Sequence, residues 1–87
     1  MKIYEVRETV QAAADVRALP LAIQVRVQSL YKRLAGWPDV SGVKPLRGNL
    51  LGAYRLRTGD YRVLFRVDQN VQRIVVFKIA HRREVYE

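Results

Sequence analysis

From residue 53 onward the apolar residues recur at every second position, and this change of period constrains the fold more than any other feature of the chain. In the stretch AYRLRTGDYRVLFRV (53–67), Tyr54 and Leu56 alternate with arginines before Gly59-Asp60, and Tyr61, Val63, Phe65 and Val67 recur at every second position after it. Two alternating runs joined by a short glycine-containing turn predict a β-hairpin. With Gly59-Asp60 as the turn, Tyr54 faces Phe65 and Leu56 faces Val63. A four-residue turn from Thr58 to Tyr61 keeps the same pairs. One hairpin face is then apolar. The other sets Arg57 directly opposite Arg62 and Arg55 opposite Leu64, with Arg66 further along. Like charges so placed are unfavourable by a few tenths to about 1 kcal/mol. Two readings follow: a solvent face on which each arginine snorkels outward, or a cationic surface whose repulsion an anionic ligand relieves. The opposed pair favours the second.

The rest of the chain supplies partners for the apolar face. Asp68-Gln69-Asn70 turns the chain, and RIVVFKIA (73–80) is a third strand, whose β-branched run predicts a central position buried on both sides. Its register is open, because a one-residue change in the Asp68–Val71 turn exchanges its faces. Either Lys78 or His81 can therefore join the arginine face. Before the hairpin, Ile3-Tyr4-Glu5-Val6 alternates as a short first strand. Thr9 is a fitting N-cap for a helix to about Ala18, with a stripe at Ala12, Val16 and Leu19. Leu19-Pro20 breaks the chain, and Pro20 suits the first turn of a second helix. That helix places Ile23, Val27, Leu30 and Leu34 on one face and ends at Gly36 and Trp37-Pro38. Residues 37–52 are rich in turn formers and predict a loop. The order β-α-α-β-β-β specifies an α+β domain, an antiparallel sheet with two helices packed on one face.

Eighty-seven residues suit one domain, 1–87, with a single modest core. No stretch approaches about 20 consecutive apolar residues, which excludes a transmembrane helix and any membrane partner reached through one. The N-terminus lacks a signal-peptide core, and the chain has no cysteine. A reducing, cytoplasmic setting is the expectation. The net charge is +8, and it is uneven. Residues 1–43 carry a net +2, while residues 44–83 carry +8, with ten basic groups against Asp60 and Asp68. Eight of those ten are arginine, whose planar fork suits bidentate contact with phosphate. A polyanionic partner is the leading expectation.

The segments KPLRGNLLGAYRLRTGDYRVLFRVD and VVFKIAHRREVYE, with the helical pair broken at Leu19-Pro20, resemble the RelE/ParE superfamily of bacterial type II toxins along essentially the whole chain. The ending HRREVY brings it nearest the RelE branch. That resemblance implies a microbial-ribonuclease-like fold and a messenger-RNA interferase that cuts the codon in the ribosomal A site. It also implies a cognate antitoxin that wraps the toxin with an acidic or amphipathic segment. ParE members share the fold but poison DNA gyrase, and a degenerate toxin that only binds antitoxin or RNA would share it too, so fold alone does not assign the function.

For an interferase the implied reaction is attack of a ribose 2′-hydroxyl on the adjacent phosphate, with departure of the 5′-oxygen. It requires proton transfer and cations around the phosphate oxygens, and no cofactor or metal. By resemblance, Arg55 and Arg57 occupy strand positions where the family often carries lysine, and Arg62 matches its arginine on the next strand. Arg82, or His81 beside it, falls near its basic C-terminal residue, and Tyr86 matches its closing tyrosine. Arginine stays protonated at physiological pH and is no general base, which leaves His81 and Tyr86 for the proton transfers. Tyr86 is also suited to stack on a nucleobase. Lys44, Arg47, Arg66, Lys78 and Arg83 complete the expected RNA-binding set.

Overall fold

Thr9 begins the first helix in the way its side chain suggests. In the computed structural model, which describes residues 3–84, Thr9 lies in extended backbone and its hydroxyl accepts the Ala12 N–H at 3.1 Å. The helix α1 runs Val10–Arg17 and buries Ala12 and Val16, two of its three stripe residues, while Leu19 packs at its end. Pro20 precedes the second helix, α2, Leu21–Leu34. Val27, Leu30 and Leu34 are buried and Ile23 half-buried, so the spacing of four, three and four is the core stripe.

Both helices cover one face of a five-stranded sheet. Its strands are β1 (Glu5–Glu8), β2 (Lys44–Pro45), β3 (Ala53–Thr58), β4 (Tyr61–Asp68) and β5 (Arg73–His81), in the order β1-β5-β4-β3-β2. Two features depart from the sequence reading. The sheet is mixed: β1 runs parallel to β5, with Val6 beside Ile74 and Glu8 beside Val76. The helical pair carries the chain from β1 into the meander, and only the packing decides which of its strands lies beside β1. Within the expected loop, Lys44 and Pro45 pair with Arg55 and Tyr54 as a two-residue edge strand. Proline is tolerated at such an edge, where its missing N–H costs no ladder bond.

The hairpin has the anticipated register. Arg57 pairs with Arg62, Leu56 with Val63, Arg55 with Leu64 and Tyr54 with Phe65. Gly59 adopts φ 57°, a conformation that glycine takes without strain, in the turn. On the helix side, Leu56, Val63, Phe65, Ile74, Val76 and Ile79 join Val27, Leu30 and Leu34 in the main core. Trp37 packs against the edge of this core. Its ring lies 5.1 Å from Tyr54 and 5.7 Å from Phe65, the second contact edge-on, as the ring quadrupoles favour.

The open register of the third meander strand is resolved by a β-bulge. Leu64 pairs with Lys78 while Phe65 pairs with Val76, so Phe77 is the extra residue. Beyond it Ile79 drops into the helix-side core and Lys78 joins the arginine face. His81 pairs with Tyr61 and so stands on the helix side.

Candidate nucleic-acid interface

The sheet face away from the helices is built from two cross-strand rows of hydrogen-bonded neighbours. Lys44, Arg55, Leu64 and Lys78 form one row, and Arg57, Arg62 and Ala80 the next. Five cations thus come together on three central strands and the short edge strand. Their floor is apolar. Leu46, Ala53 and Leu64 form a second buried cluster, with Leu50 and Phe77 packed against it. Residues after β2 fold back over the sheet to make this cluster, and the Leu46 N–H donates to the Ala53 carbonyl at 2.9 Å.

Arg62 is the centre of the arrangement. It is 9% exposed, the one buried charged side chain among the described residues. Its Nη1 lies 3.5 Å from the carbonyl oxygens of Gly59 and Tyr61, so the hairpin turn helps hold the guanidinium. Neighbouring Ala80 contributes only a methyl group to the row. Burying a cation is costly unless surrounding groups compensate it. In such a partly desolvated place, an arriving phosphate interacts with it more strongly than at an exposed site. Arg55 is half-buried, whereas Arg57, Arg66 and Lys78 are exposed. The solvent-face reading, with every arginine extended into water, does not describe Arg62.

The remaining expected residues are distributed around this centre. Lys44 is in the first row, on the edge strand, and Arg47 lies in the exposed turn that follows it. Arg82 and Arg83 begin a 3-10 turn directly after β5. That turn is latched to the hairpin: the Arg82 N–H donates to the Asp60 carbonyl at 2.7 Å, and its Nε stands 3.6 Å from the Asp60 carboxylate. These contacts hold the 82–84 turn at the hairpin tip, close to the Arg57–Arg62 row. Tyr86 lies outside the described residues. His81 is not brought together with the arginines. Its ring meets Tyr61 edge-on at 5.4 Å on the helix side, and its Nδ1 accepts the Arg83 N–H at 3.3 Å. Sequence reasoning missed Asp60 as an anchor and Phe77 as part of this face. Neither carries a local signal: one depends on a contact across the sheet and the other on the register of β5.

Further along β5, the charges change character. Glu5 bridges Arg7 and Arg73, with the Arg73 Nε at 2.7 Å, and these hydrogen bonds hold its carboxyl below the usual carboxylate range. That end of the sheet is balanced by its own carboxylate, whereas the rows around Arg62 contain cations and apolar residues alone. Among the described residues no three histidine, cysteine or carboxylate side chains gather to hold a metal ion, and no helix is long and apolar enough to cross a membrane.

Two helices on one side of a mixed sheet, with a cationic cluster on the other, define the class: an α+β domain of the RelE-toxin type. Residues 6–86 match the model of the ParE toxin family of type II toxin–antitoxin systems, parDE. Toxin RelG of Mycobacterium tuberculosis is 36% identical over 84 residues, which cover 95% of both chains. In the toxin–antitoxin complex RelBE2 of the same organism, one chain is 34% identical, with a TM-score of 0.82 over 91% of this chain and 98% of that one. A chain of the archaeal RelE–RelB complex from Pyrococcus horikoshii is 28% identical, with a TM-score of 0.77 over 98% of this chain and 100% of that one. The chain belongs to the RelE/ParE superfamily and is a type II toxin, close to the RelE-like members.

Proposed function

We propose that this toxin is a ribosome-dependent messenger-RNA endoribonuclease. The observation that carries the reading is the buried Arg62, ringed by Arg55, Arg57, Lys78 and Lys44 on one sheet face. A phosphodiester lying across these rows would meet guanidinium groups on both sides. The ribose 2′-oxygen attacks phosphorus, the bond to the 5′-oxygen breaks, and the developing charge on the equatorial oxygens is balanced by Arg62, Arg57 and Arg55. None of the three can exchange a proton at neutral pH. We assign the proton transfers to the C-terminal end, to Tyr86 ahead of His81, whose ring is engaged with Tyr61 on the other side of the sheet. A phenol so used needs its pKa lowered by nearby arginines. Arg82 and Arg83 then contact the RNA backbone, and Arg47 and Lys44 the ribosomal RNA. The setting is the cytoplasm, and the controlling partner is an antitoxin with an acidic or amphipathic segment, in line with the RelB complexes among the structural relatives.

The matching family description names ParE, which supports a second reading, a gyrase inhibitor on the same fold. Induction in bacterial cells with pulse labelling separates the two. Early arrest of protein synthesis is expected; arrest of DNA synthesis with an SOS response would transfer the assignment to gyrase. Arg62→Ala and Tyr86→Phe are each expected to relieve growth arrest while antitoxin co-purification persists. Full toxicity of both variants would refute the site.

A further inference from the structure

Alternation along β5 from Ile74 and Val76 places Phe77 on the arginine face, and the bulge there brings Lys78 onto the same face. Phe77 and Lys78 both serve the arginine face, Phe77 through its packing on Leu46, Ala53 and Leu64. Over the Phe77 ring lies the guanidinium carbon of Arg66, 5.3 Å from the centroid. A Cβ built on Gly52 would stand 3.8 Å from the Arg66 Nη1, so one guanidinium nitrogen lies near the bare backbone of Gly52. Arg66 is exposed, and among the described residues no carboxylate forms an ion pair with it. Its aromatic support is half-buried.

We infer that Arg66 on Phe77 is a nucleobase-stacking platform, a subsite for one unpaired RNA base adjoining the phosphate-binding rows. An exposed guanidinium beside a ring can offer its plane to a second planar group, and unstacked bases stack on such planes. The charge lies over the ring quadrupole, an attraction that holds Arg66 near Phe77 before any ligand arrives. Arg66 is four residues along β4 from Arg62, about 13 Å at strand rise. The base it receives therefore belongs to a different nucleotide from the one whose phosphate lies at Arg62. Phe77 is a positioning residue here, and Arg66 the group that touches RNA.

The inference rests on the RNA-binding reading of this face, and the test keeps the two apart. Binding of the full chain is measured by fluorescence anisotropy, at one fixed salt concentration because phosphate contacts are salt-dependent. The probes are a 2′-O-methyl oligoadenylate, which cannot be cut by 2′-hydroxyl attack, and an abasic 2′-O-methyl strand of equal length. The unaltered protein should prefer the base-bearing strand. Phe77→Leu and Arg66→Lys should each weaken its binding about tenfold and weaken binding of the abasic strand by distinctly less. Arg66→Lys keeps the charge at an exposed position and so tests the plane without disturbing the core. Equal weakening on both strands, or no effect of Arg66→Lys, overturns the platform while the RNA reading stands. If the unaltered protein binds neither strand, the RNA reading fails and the platform fails with it.

Discussion

The two faces of the sheet obey opposite rules. On the helix side, Val63, Phe65, Ile74 and Val76 are wholly buried against Val27 and Leu34, and side chains are matched for packing. On the other, Arg57 opposes Arg62, a pairing that repels, over a floor of Leu46, Ala53 and Leu64. Adjacent residues of β4 belong alternately to the two regimes: Arg62 and Leu64 to one, Val63 and Phe65 to the other. A domain of this size has only about 5–15 kcal/mol of net stability, so unfavourable charge on one face is sustained by close packing on the other. The comparison teaches that stability and binding occupy separate faces and that substitutions should divide accordingly.

The largest effect should come from the packed face. Phe65→Ala removes the largest wholly buried side chain and its contacts with Trp37 and Tyr54. A loss of roughly 3–5 kcal/mol is expected, read as a collapse of the denaturant midpoint. A loss below about 1 kcal/mol would show that the helix side is not the main source of stability. A smaller effect of opposite sign should come from the charged face. Arg57→Glu replaces repulsion across the hairpin with attraction and should raise stability by roughly 0.5–1 kcal/mol, while growth arrest on induction is lost. A fall in stability would break the comparison, because Arg57 would then be structural.

The smallest effect lies at the joint between β1 and α2. The Tyr31 hydroxyl donates to the Glu8 carboxylate at 2.7 Å, and burial first, then that carboxylate, pushes its ionisation well above the ordinary phenol range. Its contribution to stability is thus complete below the unfolded pKa of about 10 and is lost as pH rises past that value, where the unfolded chain ionises first. Tyr31→Phe should cost a few tenths to about 1 kcal/mol at neutral pH. The difference from the unaltered protein should shrink above pH 10, as followed by chemical denaturation. A difference that is constant with pH would mean that the hydroxyl does not hold this proton.

Much of the fold is legible in local sequence. The hairpin register follows from its turn and alternation. The helices follow from Thr9, Pro20 and stripes at helical spacing. The opposition of Arg57 and Arg62 is legible in the same way, because short-range geometry sets it. The sides taken by Lys78 and His81 are not, since one extra residue in β5 decides them and nothing in RIVVFKIA marks Phe77 as that residue. The edge strand at Lys44–Pro45 is hidden for a related reason: two residues hold no period.

What the sequence by itself determined is the chemistry available: an arginine-rich half, a hairpin that must present some of it on one face, and apolar stripes that commit the other face to helices. Tertiary structure decided which of those groups meet. It laid β1 parallel to β5, buried Arg62 between Arg57 and Ala80, sent His81 to the helix side, and tied Arg82 to Asp60. The division has a physical cause. Local periodicity and turn chemistry act over a few residues and are written in order along the chain. Strand neighbours, a bulge and the burial of a charge depend on contacts between distant residues, whose energies are settled only when the whole sheet closes on its helices.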